Sequence, residues 1–281
     1  MRTCFPSQVA WNPQGRAHQG VVLFLHANSY SAKLYQAFLE PLRADYEVWS
    51  PDLPGHGDSR WFGRIQDWAD LADHFIKQLE KEPPPTPLIG MGHSIGGIVI
   101  MLMAIKRPQW FSNIVLLDPV LLPKPILWIM YGLKFTSLTQ LIPLAKAANR
   151  RRWLFASRDE ALKHYSRKKV FSHWEPRFLE AYVNTCLHAT ASGQYQLSCA
   201  PQLESSIYQS LPLKAWRFPK RLPVPALFII GKHSDTVNQR GFQRLKKLTG
   251  NNVVKSIDGG HLFPFEKPAA SMTLIKDFLI Q

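Results

Sequence analysis

A chain of 281 residues, 46% of them hydrophobic and 19% charged, is long enough for one α/β domain with a sizeable insertion, and its composition excludes a disordered, collagenous or repeat protein. Its 34 Lys or Arg against 20 Asp or Glu give a formal charge of +14, and the excess is concentrated: residues 123–221 hold 16 of the former and 5 of the latter, a surplus of 11. No apolar stretch approaches bilayer length and the opening MRTCFPSQVAWNPQG lacks the apolar core of a signal peptide, so a cytoplasmic protein is expected.

Six apolar, β-branched runs follow in order: VVLFLHA (21–27), YEVWSPDL (46–53), PLIGMGHS (87–94), IVLLDPV (114–120), ALFIIGKH (226–233) and NVVKSIDGG (252–260). Runs without polar alternation predict strands buried on both faces. Helical patterns separate most of them, at SAKLYQAFLEPLR (31–43), QDWADLADHFIKQLE (66–80), IVIMLMAIK (98–106) and VNQRGFQRLKKL (237–248), and AASMTLIKDFLI (269–280) closes the chain. This alternation predicts a mostly parallel central sheet flanked by helices. It fails only between about 121 and 221, where prolines, aromatics and basic residues fill a mostly helical-looking stretch. The expected organisation is therefore a core made of 1–120 and 222–281, with 121–221 inserted above it as a helical cap.

Residues 90–97, GMGHSIGG, place one serine among four glycines between a strand and a helix. In a strand-to-helix turn this sharp, Ser94 takes a strained backbone conformation and its hydroxyl is forced outward. Gly92 and Gly96 let neighbouring chain pass where a Cβ would collide. The pattern Gly92-His93-Ser94-Ile95-Gly96 is the G-x-S-x-G nucleophile elbow, and the strand before it and helix after it are the setting that motif requires.

Ligands of open α/β sheets bind beyond the carboxyl ends of the strands, so the residues following the six runs are the first candidates. They are His26-Ala27-Asn28, DLPGHGDS (52–59), Ser94, Asp118, Asp235 and His261. A serine hydroxyl needs a base whose tautomer is fixed by a carboxylate. His261 is the expected base and Asp235 the expected acid, in the chain order Ser94, Asp235, His261. Asp118 also follows a strand and is the second candidate for the acid. His26, His56 and His93 are read as hydrogen-bonding partners that shape loops, and Asp52 as an anchor for neighbouring backbone in a structural turn.

The segments LFLHAN, PDLPGHGDS, GHSIGG, GKHSD and DGGH, in this order and spacing, resemble the α/β-hydrolase superfamily, of the type with a helical cap. The resemblance covers residues 20–120 and 222–281. It implies a serine hydrolase that needs no cofactor or metal, with an oxyanion hole formed by the backbone N–H groups of Ile95 and Asn28. Ala27 stands where such loops commonly have glycine, and a serine nucleophile argues against the epoxide-hydrolase and haloalkane-dehalogenase branches. The implied reaction is cleavage of a carboxylic ester or thioester through an acyl-enzyme. Hydrolysis of a carbon–carbon bond by the same triad, and non-catalytic binding of a small ligand, are the alternatives.

In the insertion, the apolar and aromatic positions of LLPKPILWIMYGLKF are expected to roof a pocket. The basic positions have two readings, a solvated outer face or attraction of an anionic substrate or membrane surface through Arg150, Arg151, Arg152, Arg167, Lys168 and Lys169. No nucleic-acid-binding module accompanies them, so nucleic acid is not an expected partner. Cys4, Cys186 and Cys199, odd in number and without metal-ligand spacing, read as buried or incidental thiols. No signal of oligomeric state is present.

Overall fold

The computed structural model describes residues 8–11, 19–60, 65–84, 87–136, 138–250 and 252–280. All six apolar runs are strands: β2 (Val21–Leu25), β3 (Glu47–Pro51), β4 (Leu88–His93), β5 (Phe111–Leu117), β9 (Ala226–Gly231) and β10 (Val253–Ile257). They pair in parallel in the order β3-β2-β4-β5-β9-β10. A seventh strand, β1 (Gln8–Trp11), joins the β3 edge antiparallel. At four residues it is too short to announce itself by periodicity.

Period-2 alternation divides each central strand between two cores. Leu23, Leu25, Ile114, Leu116, Phe228 and Ile230 face one side, where they pack with α2 (Trp68–Lys81) and α3 (Ile95–Lys106). Val22, Phe24, Val115, Leu117, Leu227 and Ile229 face the other, towards α1 (Gln36–Leu39), α10 (Phe263–Glu266) and α11 (Pro268–Leu279). The entry to α2 is fixed by a capping box: Asp67 accepts from the Ala69 N–H at 2.9 Å, and Asp70 accepts from the Asp67 N–H at 3.1 Å. The helix α9 (Gln239–Leu248) runs between β9 and β10.

Between β5 and β9 the chain leaves the sheet and forms α4 (Lys124–Phe135), α5 (Pro143–Asn149), α6 (Arg158–Ser166), α7 (Pro176–Thr185) and α8 (Pro201–Gln209). It also forms a small antiparallel sheet that the sequence does not predict, ordered β6 (Leu154–Phe155), β8 (Tyr195–Leu197), β7 (Leu187–Ala189). Strands of two or three residues carry no readable period. This segment continues both cores: Met130, Ile142 and Ile207 join the first, and Phe155, Trp174 and Tyr182 the second. Trp174 and Phe178 pack on Phe265 with ring centroids 4.3 and 5.3 Å away. The indoles of Trp68 and Trp216 donate across the junction to the carbonyls of Ile207 and Leu122, at 2.9 and 2.8 Å.

Among the described residues no helix is long and apolar enough to cross a membrane. Cys186 and Cys199 are buried free thiols, and burial pushes the Cys186 thiol up to about 11. Cys4 lies outside the described residues.

Candidate active site

The chain passes from β2 outward to β3 on one side and then to β4 on the other, so the crevice between β2 and β4 is the topological switch point of the sheet. Ser94 follows β4 there, with φ 58° and ψ −118°, a backbone region that a serine occupies only when its surroundings hold it. The geometry also explains the glycines: a Cβ at Gly96 would collide with the carbonyls of Leu25 and His26. That close approach brings the start of α3 against the end of β2. Ile95 supplies the first N–H of α3, where the helix dipole adds positive potential. Asn28 lies in the loop after β2, and neither backbone N–H has a protein acceptor among the described residues.

His261 sits on the turn after β10. Its Nε2 is 2.9 Å from Ser94 Oγ, and its Nδ1 is 2.6 Å from Asp118 Oδ2. Asp118, fully buried at φ 42° just past β5, also accepts from the Gly231 N–H at 2.9 Å and from the hydroxyls of Ser234 and Thr236 at 2.5 and 2.6 Å. Asp235, the acid expected from the sequence, does not meet the imidazole. Its neighbours Ser234 and Thr236 turn inward to the Asp118 carboxylate, and Asp235, lying between them, is exposed. Two acids follow neighbouring strands, and the inward one takes the contact. Burial acts to lower the His261 pKa, but the hydrogen bond and charge of Asp118 outweigh it, and with smaller contributions from Asp235 and Glu266 the imidazole is held above its ordinary 6.5.

His93 and His26, expected from the sequence to be hydrogen-bonding partners, hold the loops around the site. His93 Nδ1 is 2.6 Å from the Tyr35 hydroxyl, which itself accepts from the Ala27 N–H at 3.4 Å, and His93 Nε2 is 2.9 Å from the His261 carbonyl. Burial, the dominant cause, and the neighbouring His261 hold His93 well below 6.5, so it is neutral and donates from Nε2 to that carbonyl. His26 is neutral for the same first reason, accepts from the Leu53 N–H at 2.8 Å and donates to the Ala27 carbonyl. Asp52 accepts from the Ala32 and Asp58 N–H groups at 2.7 and 2.9 Å, as a structural anchor would.

One contact had no signal in the sequence. Arg151, grouped with the cap's basic residues, points inward: it pairs with Glu204 at 2.8 Å and donates to the Ser29 and Tyr182 hydroxyls. Asn28 donates its side-chain amide to the Glu204 carbonyl at 3.3 Å. The loop after β2 is thus cross-linked to the insertion, and Arg151 is not available to an outside anion. A cleft of about 320 Å³ lined by Ile65, Lys134, Thr139 and Ser206 is bordered by none of Ser94, Asp118 and His261.

The sequence profile of the alpha/beta hydrolase family matches residues 22–272. Among curated relatives, monoglyceride lipase of Rattus norvegicus is 30% identical over 121 residues, which make up 41% of this chain and 39% of the lipase. The Abhydrolase domain-containing protein AFT2-1 of Alternaria alternata is 24% identical over 232 residues, 69% of this chain and 83% of that protein. The match therefore spans well under half of the lipase's length. Among solved structures, E-2-(acetamidomethylene)succinate hydrolase superposes with a TM-score of 0.80 at 16% identity, covering 94% of this chain and 93% of that one. The thioesterase domain from the curacin biosynthetic pathway gives 0.72 at 20% identity, covering 95% and 93%. At these identities the superpositions establish the fold, and the profile runs from the second strand into the closing helix: the chain belongs to the alpha/beta hydrolase family.

Proposed function

We propose that this protein is a serine hydrolase of carboxylic esters or thioesters, with Ser94 as nucleophile, His261 as general base and Asp118 as the acid that orients the imidazole. The observation that carries this reading is the unbroken chain Ser94 Oγ to His261 Nε2, and His261 Nδ1 to Asp118 Oδ2, at 2.9 and 2.6 Å. Ser94 donates its proton to Nε2 as it attacks the substrate carbonyl, and His261 returns that proton to the leaving alkoxide or thiolate. Charge developing on the carbonyl oxygen is met by the N–H groups of Ile95 and Asn28. Water, deprotonated by His261 in turn, then releases the acid from the acyl-enzyme. Residues 121–221 act as the cap, whose contacts with the loop after β2 shape the acyl side of the site. Similarity to a monoglyceride lipase and to a thioesterase domain supports an acyl substrate.

A fluorophosphonate probe followed by peptide mapping tests the assignment, together with a panel of esters and thioesters of graded chain length. Labelling is expected at Ser94, and Ser94→Ala is expected to lose about 10³-fold or more of kcat. Labelling elsewhere in folded protein, or half the activity remaining in Ser94→Ala, overturns the reading.

A further inference from the structure

The inserted segment has a face that the active site does not use. Helix α4 buries Leu127 and Met130 against the body, and past Lys124 at its first position its exposed residues carry no charge. Ile126, Trp128 and Ile129 are 41, 78 and 65% exposed. Leu138, Leu141 and Leu144, on the turn after α4 and the start of α5, are 41, 51 and 50% exposed. Outside residues 126–144, the exposed large apolar side chains among the described residues are only Leu154, Val170 and Ile280. Water-facing apolar side chains gathered on one short segment mark an interaction surface.

The charges around this face identify what it meets. From 119 to 158 the sequence has seven Lys or Arg and no Asp or Glu. Lys124 at the start of α4, and Lys146 and Arg150 on and just after α5, are exposed on the same segment. A second copy docking face to face would set this cation-rich segment, which has no acid of its own, against itself. An anionic bilayer instead receives the indole and aliphatic side chains in its headgroup region and pairs the cations with phosphates, the pattern of an interfacial helix. We propose that the α4–α5 face docks the protein on anionic phospholipid surfaces. It rests on the proposed acyl chemistry only in that such a surface is where lipophilic esters reside.

Vesicle co-sedimentation with the Ser94→Ala protein reads binding independently of turnover. Wild-type and Ser94→Ala protein are expected to bind phosphatidylcholine vesicles containing phosphatidylglycerol, and to bind pure phosphatidylcholine far less. Trp128→Ser/Ile129→Ser should weaken partitioning about tenfold or more, since two large apolar side chains lose their burial. Lys124→Gln, Lys146→Gln and Arg150→Gln should each cost about fivefold, an effect that shrinks with added salt. Hydrolysis of a short soluble ester should be unchanged in these variants, which controls for folding. Absence of binding by the wild-type protein, equal binding by the Trp128→Ser/Ile129→Ser variant, or a dimer in solution that this variant abolishes, each overturns the proposal. Loss of ester turnover with retained vesicle binding would instead count against the catalytic reading alone.

Discussion

The rim of the sheet and the outer face of α4 are opposite solutions to the same constraint. At the rim, buried polar groups are paired: Asp118 alone accepts four hydrogen bonds, and His93 is held by Tyr35 on one nitrogen and by the His261 carbonyl on the other. On α4, Trp128 and Ile129 stand in water, with Lys124 and Tyr131 the exposed polar residues of that helix. The rim's acid and histidine side chains find their partners within the chain, whereas the α4 face calls for something outside it. Substitutions at the rim should therefore cost activity or stability in the isolated protein, and substitutions on α4 should cost neither.

The largest effect expected is at Asp118. Asp118→Asn should lower kcat by about 10⁴-fold through the wrong imidazole tautomer, while Asp235→Asn stays within about threefold, measured on any ester the wild type turns over. The reverse ranking would return the acid's role to Asp235. Next comes the cross-link between rim and insertion: Arg151→Met leaves the Glu204 carboxylate buried and unpaired and should cost about 3 kcal/mol of unfolding free energy in urea. Removing both charges, as Arg151→Met/Glu204→Met, should recover most of that loss.

A smaller effect is expected in pH dependence. Because His261 is held above 6.5 and must be neutral to act, kcat/KM should fall on acidification with a midpoint above 6.5. Asp235→Asn should move that midpoint slightly down, since its charge contributes to the raised value. For stability the sign is opposite. The imidazolium's favourable contacts count fully below the unfolded pKa near 6.5 and are lost as pH rises through the folded value. The smallest effect should come from α4: Trp128→Ser is expected to change unfolding free energy by no more than about 0.5 kcal/mol.

The same contrast separates what could be read in the sequence from what could not. Five of the six continuous apolar runs are largely buried, and only the edge strand β10, with Lys255 and Ser256 exposed, departs from burial on both faces. Their strands and the parallel sheet were therefore legible, as was the elbow, whose glycines have no substitute at such close approach. The choice between Asp118 and Asp235 was not legible. Both follow strands, and only the turn that directs Ser234 and Thr236 inward decides which carboxylate faces the imidazole. Arg151 reads as one of three consecutive surface arginines, because its partner Glu204 lies 53 residues on. The apolar residues of α4 read as a pocket roof because composition carries no record of which side of a helix its neighbours cover. In fact only one stripe is covered.

The hydrogen bond from His93 to the His261 carbonyl bears on the proton cycle. It secures the main chain of the base without touching its ring, and a Cβ on Gly231, which would collide with the Gly260 carbonyl, is absent so that this turn can lie flush against β9. For an imidazole acting as the proposed base, this is a hinge held at its main chain, leaving the ring to exchange its proton. On the proposed mechanism, the acylation and deacylation steps would share this one anchored base.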